Sequence, residues 1–139
     1  MIKTISIMQP YIFPYLGYMN LVKASDEFVF YDDVNFIKKG WIHRNRIILF
    51  GKPFRFTIPL KGISQNKLIK DLKPYNIDEF SKKFLIQLYS SYKNAPYLCQ
   101  TLNYVEEVLL SENKSIGDLA ASSVEKFFEY CDLNKLFFK

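Results

Sequence analysis

Two short apolar runs flank a helix-compatible stretch within the first thirty or so residues, and no other feature of the chain constrains its fold as much. Residues 3–8 are apolar and β-branched, residues 18–24 suit a helix, and residues 27–31 (EFVFY) form a second apolar run ending at Asp32-Asp33. Strand, helix and strand at this spacing make a βαβ unit, in which a right-handed crossover joins two parallel strands. Open α/β sheets bind their ligands beyond the C-terminal ends of the strands. Residues 9–14 and the Asp32-Asp33 pair are therefore expected on one edge of the sheet.

The junction inside this unit reads Met8-Gln9-Pro10-Tyr11-Ile12-Phe13-Pro14-Tyr15-Leu16-Gly17-Tyr18. Pro10 and Pro14 restrict φ at two points, and Gly17 frees it at a third. A connection specified so closely either packs or lines a ligand. Gln9 and Tyr11 are the expected contributors to a pocket, the one through its amide and the other through its hydroxyl or ring.

Beyond residue 34 the periodicity changes. Residues 46–50 and 54–58 suit an antiparallel hairpin turned at Gly51-Lys52-Pro53, and residues 67–73 a further short strand. After Pro74 three helical stripes follow. The first is Phe80, Phe84, Leu85, Leu88 and Tyr92, behind Asp78 as a candidate cap. The second is Leu98, Leu102, Val105 and Leu109, with Pro96 suited to its first turn. The third, after an approximate capping box at Ser115 and Asp118, is Leu119, Ala120, Val124, Phe127 and Phe128. Residues 133–138 resemble the start of another strand. The expected fold is α/β: an N-terminal βαβ unit of a Rossmann-like parallel sheet, an antiparallel hairpin around 46–58, and a C-terminal three-helix region. The expected organisation is one domain over 1–139, sheet-forming over 1–73 and helical over 74–139.

Charge is unevenly spread. No acid lies between Asp33 and Asp71, a stretch with nine bases, and the remainder carries 10 bases against 14 acids, so this block supplies the whole net charge of +5. Such a block concentrates anions, whether nucleotide, phosphate or nucleic acid, although a solvated basic face has the same composition. A 49% apolar content excludes global disorder, and 17% aromatics, ten of them Tyr, suits a surface that binds rings or sugars. No apolar run is long enough for a membrane span, and the N-terminus lacks the pattern of a signal peptide. The expected location is the cytoplasm. Cys99 and Cys131 are expected as buried thiols, and one histidine without a Cys/His cluster argues against a structural zinc.

Within the basic block, Trp41 with Arg44, Asn45 and Arg46 is the stronger candidate site. Arginine binds phosphate or carboxylate bidentately, and tryptophan stacks on a base or sugar face. In an extended segment the two arginines share one face and Asn45 opposes them. Asp32 and Asp33 follow a buried strand, where a carboxylate can bind ribose hydroxyls or an amine, and neighbours cannot both face one ligand. Asp33 is favoured as the functional one. His43 is the one side chain with an ordinary pKa suited to base chemistry near neutrality. Gln65 and Lys67, in a polar loop, can supply hydrogen bonds. No nucleophile-elbow, phosphate-loop or metalloprotease motif is present, and no cofactor is indicated.

Taken together, Gln9-Pro10-Tyr11 with Pro14-Tyr15-Leu16-Gly17-Tyr18, Tyr31-Asp32-Asp33-Val34, Gly40-Trp41 with Arg44-Asn45-Arg46-Ile47, and Ile58-Pro59-Leu60 with Ser64-Gln65 and Lys67-Leu68-Ile69 resemble the WbqC-like family. The resemblance implies a cytoplasmic enzyme of bacterial O-antigen and related polysaccharide biosynthesis, acting on a nucleotide-activated amino sugar by acyl or aminoacyl transfer. It leaves the acyl or aminoacyl donor unspecified. It also implies a longer fold of which this chain is the N-terminal portion, so a second protein that completes it is an expected partner. Nucleic acid, the alternative suited to the basic block, lacks a recognised binding motif, and a non-catalytic remnant or scaffold is the third reading.

Overall fold

The computed structural model describes residues 2–112 and 115–139. The first run forms β1 (Ile5–Met8), the helical stretch α1 (Leu16–Ala24), and the second run β2 (Glu27–Phe30). Apolar residues on both faces of β1 and β2 suit a parallel pair, and the two strands are parallel with Ile5 opposite Glu27 and Met8 opposite Phe30. A backbone bond from Tyr31 N to Met8 O, 2.8 Å, holds the two exits side by side. The loops after β1 and β2 thus leave the same edge of the sheet, as the βαβ pattern requires.

The chain then forms a separate hairpin, β3 (Arg44–Leu49) and β4 (Lys52–Thr57). Its turn is Phe50-Gly51, one residue earlier than the sequence suggested, with φ of 50° and 75°. Two positive φ values in a two-residue loop match the right-handed twist of the strands. Pro53 lies opposite Ile48, and the Ile48 amide points away from the ladder to donate to the Tyr92 hydroxyl at 2.7 Å. The proline's missing N–H therefore costs no ladder bond.

Residues 67–73 do not form the expected strand. They make a single bridge, Asn35 with Leu68, and then a 3-10 turn, Ile69–Asp71. Three helices follow: α2 (Ile77–Tyr92), α3 (Leu98–Leu110) and α4 (Ile116–Tyr130). Asn76, and not Asp78, is the N-cap of α2, and Asp78 sits in the first turn. Pro96 lies just before α3, whose N-cap is Tyr97. The capping box of α4 is complete, with the Asp118 amide donating to Ser115 Oγ at 3.0 Å and the Ser115 amide to Asp118 Oδ2 at 3.1 Å. The last run forms β5 (Leu136–Phe138), parallel to β2, so the sheet order is β1-β2-β5.

Helix α4 joins two apolar clusters. Its first turns, Ile116, Leu119 and Ala120, pack with Ile12, Phe36, Ile42 and the inner faces of the hairpin, α2 and α3. Its later turns, Ala121, Val124 and Phe128, pack with Tyr18, Met19 and Val22 of α1 on Phe28 and Phe30 of the sheet. Cys99 and Cys131 are free and exposed, contrary to the buried position expected of them. Among the described residues no helix is long and apolar enough to cross a membrane.

Candidate functional site

The loop after β1 is held from two sides. Phe13 has φ of 43°, a left-handed conformation that a large L-residue adopts at a cost of about 1–3 kcal/mol. The Asn45 side-chain amide donates to Phe13 O at 2.7 Å and to Ile12 O at 3.2 Å. From the other side the Phe13 amide donates to Ser123 Oγ of α4 at 3.0 Å. A further backbone bond joins Ile12 N to Ile42 O at 3.1 Å. The clamp presents the Phe13 ring edge-on to Tyr104, 5.7 Å between centroids.

That ring forms part of a groove of about 360 Å³ between the hairpin and the α2–α3 pair. Phe56, Phe84 and Leu88 line its inner side, Leu98, Leu102 and Val105 of α3 face them, and Asn45, Arg46 and Thr101 bring polar groups. The volume lies at the lower end of the range for small-molecule sites. Ala95 and Pro96, at the break between α2 and α3, also line it. Small residues at that break leave space where a continuous helix would bring another side chain.

Arg44 and Arg46 share one face of β3, as alternation predicts, and both guanidiniums lie over the Trp41 ring, at 5.8 and 5.2 Å from its centroid. Their situations differ. Arg44 Nε donates to Gly40 O at 2.7 Å and its Nη2 donates to Lys39 O, so this guanidinium closes the turn ahead of the strand. Arg46 is exposed, belongs to the groove lining, and takes part in no ion pair among the described residues.

The other candidates are dispersed. Gln9 accepts at its backbone carbonyl from the Tyr18 hydroxyl at 2.9 Å, and the Tyr11 ring packs on Tyr18, 5.6 Å between centroids. His43 is buried against Phe36, ring to ring at 5.0 Å, and its Nδ1 has no hydrogen-bond partner. Burial, with Arg44 adding to it, lowers its pKa to about 4, so the imidazole is neutral at pH 7. Asp32 is half-buried beside the N-terminus of α4, where a Cβ on Gly117 would lie 3.2 Å from its Oδ2. Burial pushes its carboxyl up and Asp118 adds to this, while Lys139 and Lys70 oppose it. Asp33 is exposed. Gln65 lines a shallow depression with Asn35, Lys38 and Lys39, and Lys67 stands exposed nearby in sequence. The structure thus brings Asn45 and Arg46 to the groove lining and leaves Gln9, Tyr11, Asp32, Asp33, Trp41, His43, Arg44, Gln65 and Lys67 outside it, Trp41 being tied to Arg46 through the stacked guanidinium.

Sequence reasoning missed the apolar wall of that groove. Phe84, Leu88, Leu98 and Leu102 carry the same helical periodicity whether a stripe meets core or a cavity, and the only local signal was the break at Asn94-Ala95-Pro96. Among the described residues no three His, Cys, Asp or Glu side chains converge as metal ligands.

The model of the WbqC-like protein family matches residues 9–138. A curated relative, "Uncharacterized protein Rv1507c" of Mycobacterium tuberculosis, is 29% identical over 114 residues, which are 79% of this chain and 48% of the relative. The chain therefore spans about half the length of that relative. No solved structure is a significant match. With nearly its whole length matched, the chain belongs to the WbqC-like protein family.

Proposed function

We propose that this member of the WbqC-like family acts in bacterial surface polysaccharide biosynthesis, as a transferase that places an acyl or aminoacyl group on a nucleotide-activated amino sugar. The observation that carries the reading is an arginine in the lining of an apolar groove: Arg46, whose guanidinium lies over Trp41 and makes no ion pair among the described residues, borders a cavity otherwise lined mostly by aliphatic and aromatic side chains. A ligand matched to that junction has an apolar segment and an anionic head. In an acyl transfer to a sugar nucleotide the apolar segment is the acyl or aminoacyl group, and the head is a phosphate bound by the guanidinium. The acceptor amine attacks the acyl carbonyl, a C–N bond forms, the bond to the leaving group breaks, and the amine gives up a proton. Among the described residues the groove lining holds no carboxylate or imidazole. It binds and orients, and the base sought in Asp33 or His43 has to act from outside it.

Calorimetric titration with a panel of UDP- and dTDP-linked amino sugars tests this reading, on the chain alone and with the polypeptide encoded directly after it. Binding of at least one member is expected, weakened at least tenfold in Arg46→Ala, since a charge-assisted hydrogen bond is worth about 1.5–3 kcal/mol. No heat from any of the panel in either preparation overturns it.

A further inference from the structure

The three-stranded sheet is covered on one face. Its register sets Ile5, Glu27 and Leu136 in one row and Ile7, Val29 and Phe138 in the next. By alternation these six share the face opposite Ser6, Met8, Phe28, Phe30 and Phe137. The second set meets α1 and α4. The first set lies open: Ile5 is 56% exposed, Ile7 60%, Leu136 57% and Phe138 47%. Its one acid, Glu27, is already paired with Lys3. Five apolar side chains and a neutralised carboxylate make a contiguous surface of the kind that marks an interaction site.

The topology says what covers such a face. Right-handed crossovers from β1 to β2 and from β2 to β5 advance across the sheet in one direction, so their helices fall on the same side. A helix reaches the open side when the order reverses, that is, when a strand is added beyond β1. Parallel sheets carry helices on both faces, and a doubly wound sheet achieves this by such a reversal. A second copy of this chain brings no helix to the open face through a crossover, and would stack one bare sheet on another. The relative supplies a different occupant, because about half of its length lies outside the match.

We infer that the open face is the docking surface for a further α/β half, present in the same polypeptide or as a separate one, which adds a parallel strand to the free edge of β1 and lays its helix over Ile5, Ile7, Val29, Leu136 and Phe138. The order then reverses at β1. The loop that carries Gln9, Tyr11 and Phe13 becomes the crevice at that reversal, where α/β sheets bind ligands. This inference does not depend on the proposed transferase activity.

The test is hydrogen exchange and sedimentation on the chain, alone and with the polypeptide encoded directly after Lys139, fused or separate. The expected results are a 1:1 assembly and amides of β1 that exchange at least tenfold more slowly within it. Ile7→Asp and, independently, Leu136→Lys should weaken association of the separate chains at least tenfold. Both positions are exposed, so the isolated variants should unfold at the wild-type temperature, which separates lost docking from lost folding. Failure of that polypeptide to bind, protection of β5 with β1 unchanged, or a homodimer of the isolated chain dispersed by Ile7→Asp each overturns the inference. Sugar-nucleotide binding is not read in any arm, so the outcome is independent of the calorimetry above.

Discussion

Asn45 donates the two hydrogen bonds that hold the carbonyls of Ile12 and Phe13, and its removal tests whether the left-handed Phe13 is a clamped feature of the site. Each such bond contributes about 1 kcal/mol net, and carbonyls left without a donor add a partial desolvation cost. Asn45→Ala is therefore expected to lower the unfolding free energy by about 2–3 kcal/mol, a fall in Tm of roughly 6–12 °C for a chain of this size. Asn45→Asp keeps the shape but aims a carboxylate at two carbonyl oxygens, and should cost more than alanine at pH 7. Ser123→Ala removes the acceptor of the Phe13 amide on the opposite side. Because Asn45 and Ser123 hold the same short segment, their double variant should depart from additivity by more than about 0.5 kcal/mol.

The chain's single tryptophan, Trp41, lies four residues before Asn45, so its fluorescence in urea follows unfolding without an added probe. The groove gives a second readout. Phe13 lines it, and releasing the loop should weaken a groove ligand even with Arg46 in place. A loss below about 0.5 kcal/mol for Asn45→Ala, the range of an ordinary surface substitution, would show that the loop keeps its conformation without Asn45 and would refute the clamp.

Two further outcomes follow from the basic segment. His43 is neutral and buried, with a folded pKa of about 4 against an ordinary 6.5, so the unfolded chain binds more protons between those values. Stability should be full above pH 6.5 and fall as pH drops towards 4, by about 3 kcal/mol, with no further loss from this group below 4; urea midpoints of wild type and His43→Leu across that window check it, since the variant should lack this component. Arg44→Lys keeps the charge but loses the fork that grips the Gly40 and Lys39 carbonyls, so unfolding free energy should drop by about 1–2 kcal/mol while sugar-nucleotide affinity in calorimetry stays within twofold.

The parts of the fold that could be read in advance are those whose signal is local. Apolar runs at 3–8 and 27–31 announced β1 and β2, and the Ser115–Asp118 spacing announced the cap of α4. The hairpin begins earlier than its apolar pattern, because the ladder extends through the polar Arg44 and Asn45, paired with Thr57 and Phe56. The short run at 67–73 became a 3-10 turn because its backbone is used otherwise: Ile69 N bonds Val34 O, and Ile116 N bonds Leu72 O at the start of α4. At the site, residue types alone singled out Arg44, Asn45 and Arg46 together. They could not say that Asn45 would spend its donors on loop carbonyls or that Arg44 would close a turn, leaving Arg46 as the arginine in the groove lining. The Asn45 assignment depends on where Ile12 and Phe13, more than thirty positions away, come to lie; that of Arg44 depends on the shape of the turn four and five residues before it.

The clamp also ties the groove to the sheet. Phe13 follows β1 by five residues, its amide is fixed by α4 and its carbonyl by β3, and α4 packs on the covered face of the sheet through Val124 and Phe128. A displacement of β1 has to be absorbed in residues 9–12, where Pro10 limits φ, the Gln9 carbonyl is bound by Tyr18, and Ile12 is tied to Ile42. Little slack is left between the strand and the ring at the groove. A strand added to the free edge of β1 would therefore act on the Phe13 ring through one short, bonded connection. That makes the affinity of groove ligands, measured with and without the added half, a quantity that should change with docking although none of Ile5, Ile7, Val29, Leu136 and Phe138 lines the groove.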